Sequence, residues 1–174
     1  MDKAYRGKGY GLKIFNAAVS SVKPTSNIGL YALLHLEKMY ERSGFRSHFH
    51  AARYDFHLPT TIACFPEILE KISVEVKAVE DVELENIFRY DTHVFGFERS
   101  AFLSRLLRAE GTLGYVAVNN DGLTVGYISA RPTFLQEEGY LIIGPLFADS
   151  KAIAERLLKA LFEKLSHEEK AADR

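Results

Sequence analysis

The chain has 174 residues, 47% of them apolar, with 22 lysines and arginines against 23 acids and a net charge of −1. That size allows one domain or two small ones with a buried core, and the balanced charge excludes a broad nucleic-acid or membrane-binding surface. A single cysteine, Cys64, excludes an intrachain disulfide and a cysteine-rich metal site.

The first segment is "RGKGYG", residues 6–11, which runs straight into Leu12, Phe15, Ala18, Val19 and Val22 at helical spacing before Lys23 and Pro24 stop the run. "SNIGLYAL", residues 26–33, predicts a buried strand. "LLHLEKMYERSG", residues 33–44, predicts a helix with Leu33, Leu36, Met39 and Tyr40 on one face and Gly44 as its stop, and residues 49–59 predict another strand. Helix, strand, helix, strand thus make a first unit over 1–59, followed by a proline-bearing linker over 60–72.

The second unit, residues 73–165, opens with a strand alternating Val74, Val76 and Ala78 inward, then a helix capped by Asp81 and carrying Leu84, Ile87 and Phe88. A further helix carries Phe102, Leu103, Leu106 and Leu107, and Gly111 ends it. Two strands flank the hairpin signal "NNDG", residues 119–122, and "YLIIGPLF", residues 140–147, is one more before a helix starting after Ser150. Residues 166–174 read as a frayed tail. The mixture implies an α+β, layered sheet with helices on its faces. Met1 leads into a polar segment and no apolar run reaches the about 18 residues of a membrane span, so we expect a cytoplasmic protein without a membrane partner.

Chemically the opening turn is the most specific feature. Unpaired amides and the positive end of a helix point into a glycine-rich turn flanked by Arg6 and Lys8, an arrangement suited to a diphosphate. A P-loop needs four residues between its glycine and its GK[ST] end, and a dinucleotide fingerprint needs a third glycine and a preceding strand; neither is met. Of His48, His50 and His57, alternation along a strand puts His48 and His50 on the same side, but without an acidic or cysteine partner no metal is expected. Glu98 and Arg99 read as a helix start, and no Ser-His-Asp set can be inferred.

These residues resemble the GNAT superfamily of acyltransferases. Arg6, Gly9 and Gly11 occupy the fixed positions of its coenzyme A loop, Q/R-x-x-G-x-G/A, and "YERSGF", Tyr40 to Phe45, matches its later Y-E-x-x-G-F. The resemblance implies a GNAT-like mixed, mostly antiparallel sheet with helices on both faces, and transfer of acetyl from acetyl-CoA to an amine acceptor. It implies coenzyme contacts from Arg6, Gly7, Lys8, Gly9, Tyr10 and Gly11, with Tyr40 as general acid. Leu33 departs from the asparagine many members carry seven residues before the tyrosine.

Residues 73–165 resemble the front part of the divergent second domain of tandem GNAT proteins. Superposing "GLKIF" on "AERLL" sets Asp149 against Arg6, Ala152 against Gly9 and Ala154 against Gly11, which suits helix capping better than phosphate binding. Residues 1–59 then resemble the back half of a GNAT domain. Either the chain is a fragment of a longer tandem protein, the expectation we favour, or the second unit supplies front strands to the first as in a circular permutation. The rival to an enzyme is a non-catalytic GNAT-like ligand-binding or interaction module, and the oligomeric state is open.

Overall fold

A computed structural model describes residues 2–52, 54–55, 72–133 and 140–172, with the side chains of 168–172 excepted. It divides into two compact units, residues 1–54 and 55–174.

In the first unit a short 3-10 turn, Lys3–Tyr5, is capped by Asp2, whose Oδ1 accepts from the Ala4 amide at 2.9 Å. Helix α1 spans Tyr10–Ser20, and a 3-10 turn at Leu34–Leu36 leads into helix α2, Glu37–Glu41. The strand expected over 26–33 is irregular chain, as are the described residues 49–52 and 54–55 of the one expected over 49–59. The rest of that second stretch lies outside the described residues. Among the described residues of this unit no strand forms, and the reason is physical: an extended segment without a neighbour to share its ladder leaves its backbone to water. No described residue of this unit is buried. Its packing centres on three half-buried rings, Phe15, Tyr40 and Phe45, with centroids 5.9 to 6.1 Å apart.

The second unit is built on a four-stranded antiparallel sheet in the order β1-β2-β3-β4, with β1 at Val74–Ala78, β2 at Leu113–Asn119, β3 at Thr124–Pro132 and β4 at Leu141–Ala148. The expected hairpin joins β2 to β3. Asn119 Oδ1 accepts from the amides of Asp121 at 3.0 Å and Leu123 at 2.9 Å, and Gly122 supplies a left-handed φ of 78°.

Helices α3, Leu84–Phe95, and α4, Ser100–Leu107, follow β1, and α5, Lys151–Ala172, follows β4. The first of these starts at Leu84, with Glu83 at its cap, because a 3-10 turn over Val79–Asp81 takes up the residue expected to cap it. The last continues through Ala172, into the segment expected as a tail.

Strand alternation sends successive side chains to opposite faces and so fixes the layers. Val116, Val118 and Tyr127 pack with Ile87 and Tyr90 of α3 and Leu103 and Leu107 of α4. Ala117, Ile128 and Ala130 pack with Ile153, Leu157 and Leu161 of α5. Leu157 and Leu161 are wholly buried, each worth about 1.5–3 kcal/mol. The unit is therefore α+β, a mostly antiparallel sheet with helices on both faces, as the sequence predicts.

Candidate functional site

Each predicted site residue lies in the first unit. Gly7 and Gly9 adopt left-handed φ angles of 75° and 77°, which glycine alone reaches without strain, and Gly9 is the cap of α1. Gly11 sits in the first helical turn with no left-handed φ, so its backbone freedom is not what the turn uses. The first intrahelical bond runs from the Lys13 amide to the Gly9 carbonyl at 3.1 Å, and no side chain caps the helix. The amides of Tyr10, Gly11 and Leu12 precede that bond and lack an intrahelical partner. A Cβ built on Gly7 or Gly9 meets nothing within 4 Å, so the main chain stands open to an approaching group. Lys8 Nζ rests 5.5 Å from the Tyr5 ring centroid. Uncapped amides at a positive helix end, beside Arg6 and Lys8, suit the oxygens of a diphosphate.

Tyr40 is brought to the same helix. Gly44 has a φ of 90°, the Phe45 amide donates to the Tyr40 carbonyl at 3.2 Å, and the Gly44 amide donates to that of Glu41 at 3.0 Å. This pair of bonds is a Schellman stop, and the ring of Phe45 packs on that of Tyr40 as such stops favour. "YERSGF" is thus a helix terminator spelled out in side chains. Phe15 of α1, one helical turn after Gly11, completes the trio, so Tyr40 packs against the helix that the glycine turn opens.

The start of α5, superposed in sequence on the opening turn, is built differently. Ser150 Oγ accepts from the Ile153 amide at 3.3 Å, and the Ala154 amide donates to the Ser150 carbonyl, so this helix carries its own cap. Asp149 Oδ1 accepts the Tyr90 hydroxyl at 2.8 Å. Burial first, then that bond and charge, push the Tyr90 phenol well above its usual value.

A feature the sequence reading missed lies beneath it. Asp91, 1% exposed, receives Arg99 Nε at 2.8 Å and Nη2 at 2.7 Å, and the Tyr127 hydroxyl donates to the same carboxylate. Burial alone would raise the Asp91 carboxyl. The bonds from Arg99 and Tyr127 and the guanidinium charge outweigh it and hold the carboxyl below its usual range. Tyr127 is pushed up by burial first and then by Asp91, while the bond to Asp91 raises Arg99 further. Arg99 also stacks on Phe95, its Cζ 3.5 Å from the ring centroid. The signal was present: an aspartate on the apolar face of α3, eight residues before an arginine, needs a charged partner. Glu98 and Arg99 do begin a helix as expected, with Glu98 Oε1 accepting the Ser100 amide at 2.8 Å.

Among the described residues no group of three or more His, Cys, Asp and Glu could hold a metal, and no helix is long and apolar enough to cross a membrane. His50 lies 3.7 Å from Glu37; His57 lies outside the described residues.

The second unit, a sheet with two helices on one face and one on the other, is an α+β layered fold. Residues 87–170, from α3 to α5, match the family model described as "Acetyltransferase (GNAT) domain". The chain is 27% identical over 153 residues to the "Holothin acyltransferase" of Pseudoalteromonas sp. (strain SANK 73390), covering 87% of this chain and 47% of that protein. It is 26% identical over 161 residues to the "Uncharacterized N-acetyltransferase YitH" of Bacillus subtilis (strain 168), covering 92% and 53%. The chain spans about half the length of the curated relatives it matches. Among solved structures, Arabidopsis thaliana NAA60 in complex with a bisubstrate analogue aligns with a TM-score of 0.42 at 13% identity, over 53% of this chain and 67% of that one.

Proposed function

We propose that the protein is an N-acetyltransferase whose donor is acetyl-CoA and whose acceptor is an amine. The observation that carries this reading is the open start of α1: a helix of the first unit that begins on the left-handed Gly9, without a side-chain cap, directly after Arg6 and Lys8 in the sequence. Acetyl-CoA supplies an activated thioester. Arg6, Gly7, Lys8, Gly9, Tyr10 and Gly11 hold its diphosphate through main-chain amides and two cationic side chains. Tyr40, packed against the same helix through Phe15, is the proton donor to the departing thiolate, since a hydroxyl donor can be placed within hydrogen-bond reach of it. In this reading residues 1–59 are the back half of one GNAT domain, 60–72 a linker, and 73–165 the front part of a divergent second one.

The test is calorimetric titration of acetyl-CoA and desulfo-CoA into the protein and into an Arg6→Glu, Gly9→Val variant. Saturable binding by the parent and its loss in the variant are expected. No binding by the parent overturns the reading for this chain. Thiol release with a panel of amines, repeated with Tyr40→Phe, then tests the chemistry, and unchanged turnover removes Tyr40 from it.

A second reading, a non-catalytic ligand-binding or interaction module, is favoured by one observation. At the start of α5 the serine cap and the Asp149–Tyr90 bond occupy the groups a phosphate would need.

A further inference from the structure

The tip of the β2–β3 hairpin holds the chain's single Asp-Gly step, Asp121–Gly122, and the sequence has no Asn-Gly. Both residues are exposed. This step is the one most open to rearrangement of the main chain, because the Gly122 amide nitrogen can attack Cγ of the Asp121 carboxyl and glycine has no Cβ to shield it. Loss of one water closes a five-membered succinimide. Return of one water opens it at either carbonyl, giving back aspartate or giving isoaspartate, in which the chain runs through the side-chain carbon. Atoms balance without a co-reactant, and the reaction lies within two adjacent residues, so no partner or covering segment enters it.

Four hydrogen bonds stand against that attack, and Asn119 takes part in each of them. The Gly122 amide, the nucleophile itself, donates to the Asn119 carbonyl at 3.0 Å, and the Asn119 amide donates to the Leu123 carbonyl at 2.9 Å. Asn119 Oδ1 accepts from the amides on either side of Gly122, those of Asp121 at 3.0 Å and Leu123 at 2.9 Å. The Gly122 nitrogen therefore reaches the Asp121 Cγ only when these bonds open.

We propose that Asp121 is a site of isoaspartate formation and that Asn119 gates it, the reaction proceeding from the locally opened turn and not from the closed one. The product is felt by the sheet. Isoaspartate inserts one more carbon into the main chain between β2 and β3, the two strands that carry the wholly buried Val116, Ala117, Tyr127 and Ile128. Net charge stays the same, since one carboxylate replaces another, so the change acts through chain geometry alone.

The protein is aged folded in neutral buffer, isoaspartate is counted by methyl transfer with an isoaspartyl methyltransferase, and its position is read by fragmenting the hairpin peptide. It should accumulate at residue 121 ahead of every other aspartate and asparagine. Asn119→Ala removes the two side-chain bonds and should raise the rate about tenfold, with exchange of the Gly122 amide rising by the same factor, while Asn119→Asp, which keeps an acceptor oxygen, should stay near the parent. The parent unfolded in urea supplies the open turn independently of any variant and should react faster than the folded protein. Equal rates in the folded and urea-unfolded parent overturn the gate, as does an Asn119→Ala rate equal to that of the parent. Isoaspartate that forms first at another residue overturns the site.

Discussion

Asp91 and Arg99 meet across the corner between α3 and α4 in a two-bond pair, with the carboxylate buried and the guanidinium laid over the Phe95 ring. Gly96, at a φ of 89°, makes the turn that lets an arginine eight residues on come back to the same helix. Removing one partner leaves the other buried and unpaired. Asp91→Asn should therefore destabilise the fold by about 3–5 kcal/mol, read as a lowered urea midpoint, while Asp91→Leu with Arg99→Met should cost less than either single change. Equal losses for the double and the single variants would show that the pair is not the unit of stability.

Stability should depend on pH at both ends. The Asp91 carboxyl lies below its unfolded value, so its contribution is present above about pH 3.9 and is lost as pH falls through the lowered native value. Tyr90 and Tyr127 are raised, so their contribution is complete below about pH 10 and is lost as pH rises beyond it. Urea midpoints measured across the range should be flat in between. In Tyr127→Phe the alkaline decline should be shallower, and an unchanged decline would remove Tyr127 as its source.

Close packing makes Gly126 a second sensitive point. A Cβ there meets the Phe147 carbonyl oxygen at 2.9 Å, Ile153 Cγ2 at 3.0 Å and Ala148 Cα at 3.1 Å, two of them backbone atoms that cannot swing aside. Gly126→Ala should cost about 1–3 kcal/mol in thermal or urea unfolding. A neutral result would mean that β4 and α5 can draw apart.

Within the first unit, Gly44→Ala should cost about 1–2 kcal/mol because its left-handed φ is needed for the helix stop, whereas Gly29→Ala, with no such angle and nothing within 4 Å, should change little. Hydrogen exchange at the Phe45 amide reports the stop directly. Equal protection in the two variants would show that the bond to Tyr40 does not depend on the glycine.

The second unit was legible because its signals are local and mutually consistent. Alternation placed β1, "NNDG" marked the hairpin, and Ser150 marked the start of α5. The strands expected at 26–33 and 49–59 rest on apolar content, which says nothing of whether a neighbouring strand exists to pair with. Asp81 had the right chemistry for a cap, but a turn at Val79–Asp81 moved the helix start past it. Of the Asp91–Arg99–Tyr127 cluster the sequence signals only the Asp91–Arg99 pair, because Tyr127 lies 36 residues from Asp91 and only the sheet brings it there. At the candidate site, the left-handed angles at Gly7 and Gly9 but not Gly11 show that the motif's glycines are not equivalent.

The helix stop at Tyr40 has one more implication. Its geometry accounts for Gly44, for the Phe45 ring and for the aromatic carbons of Tyr40, which complete the packing with Phe15. The phenolic oxygen is the atom that neither the terminator nor the ring trio requires. For the proposed proton donor, scaffold and chemistry are thus divided along a single bond, so that Tyr40→Phe tests the proposal without disturbing the helix stop.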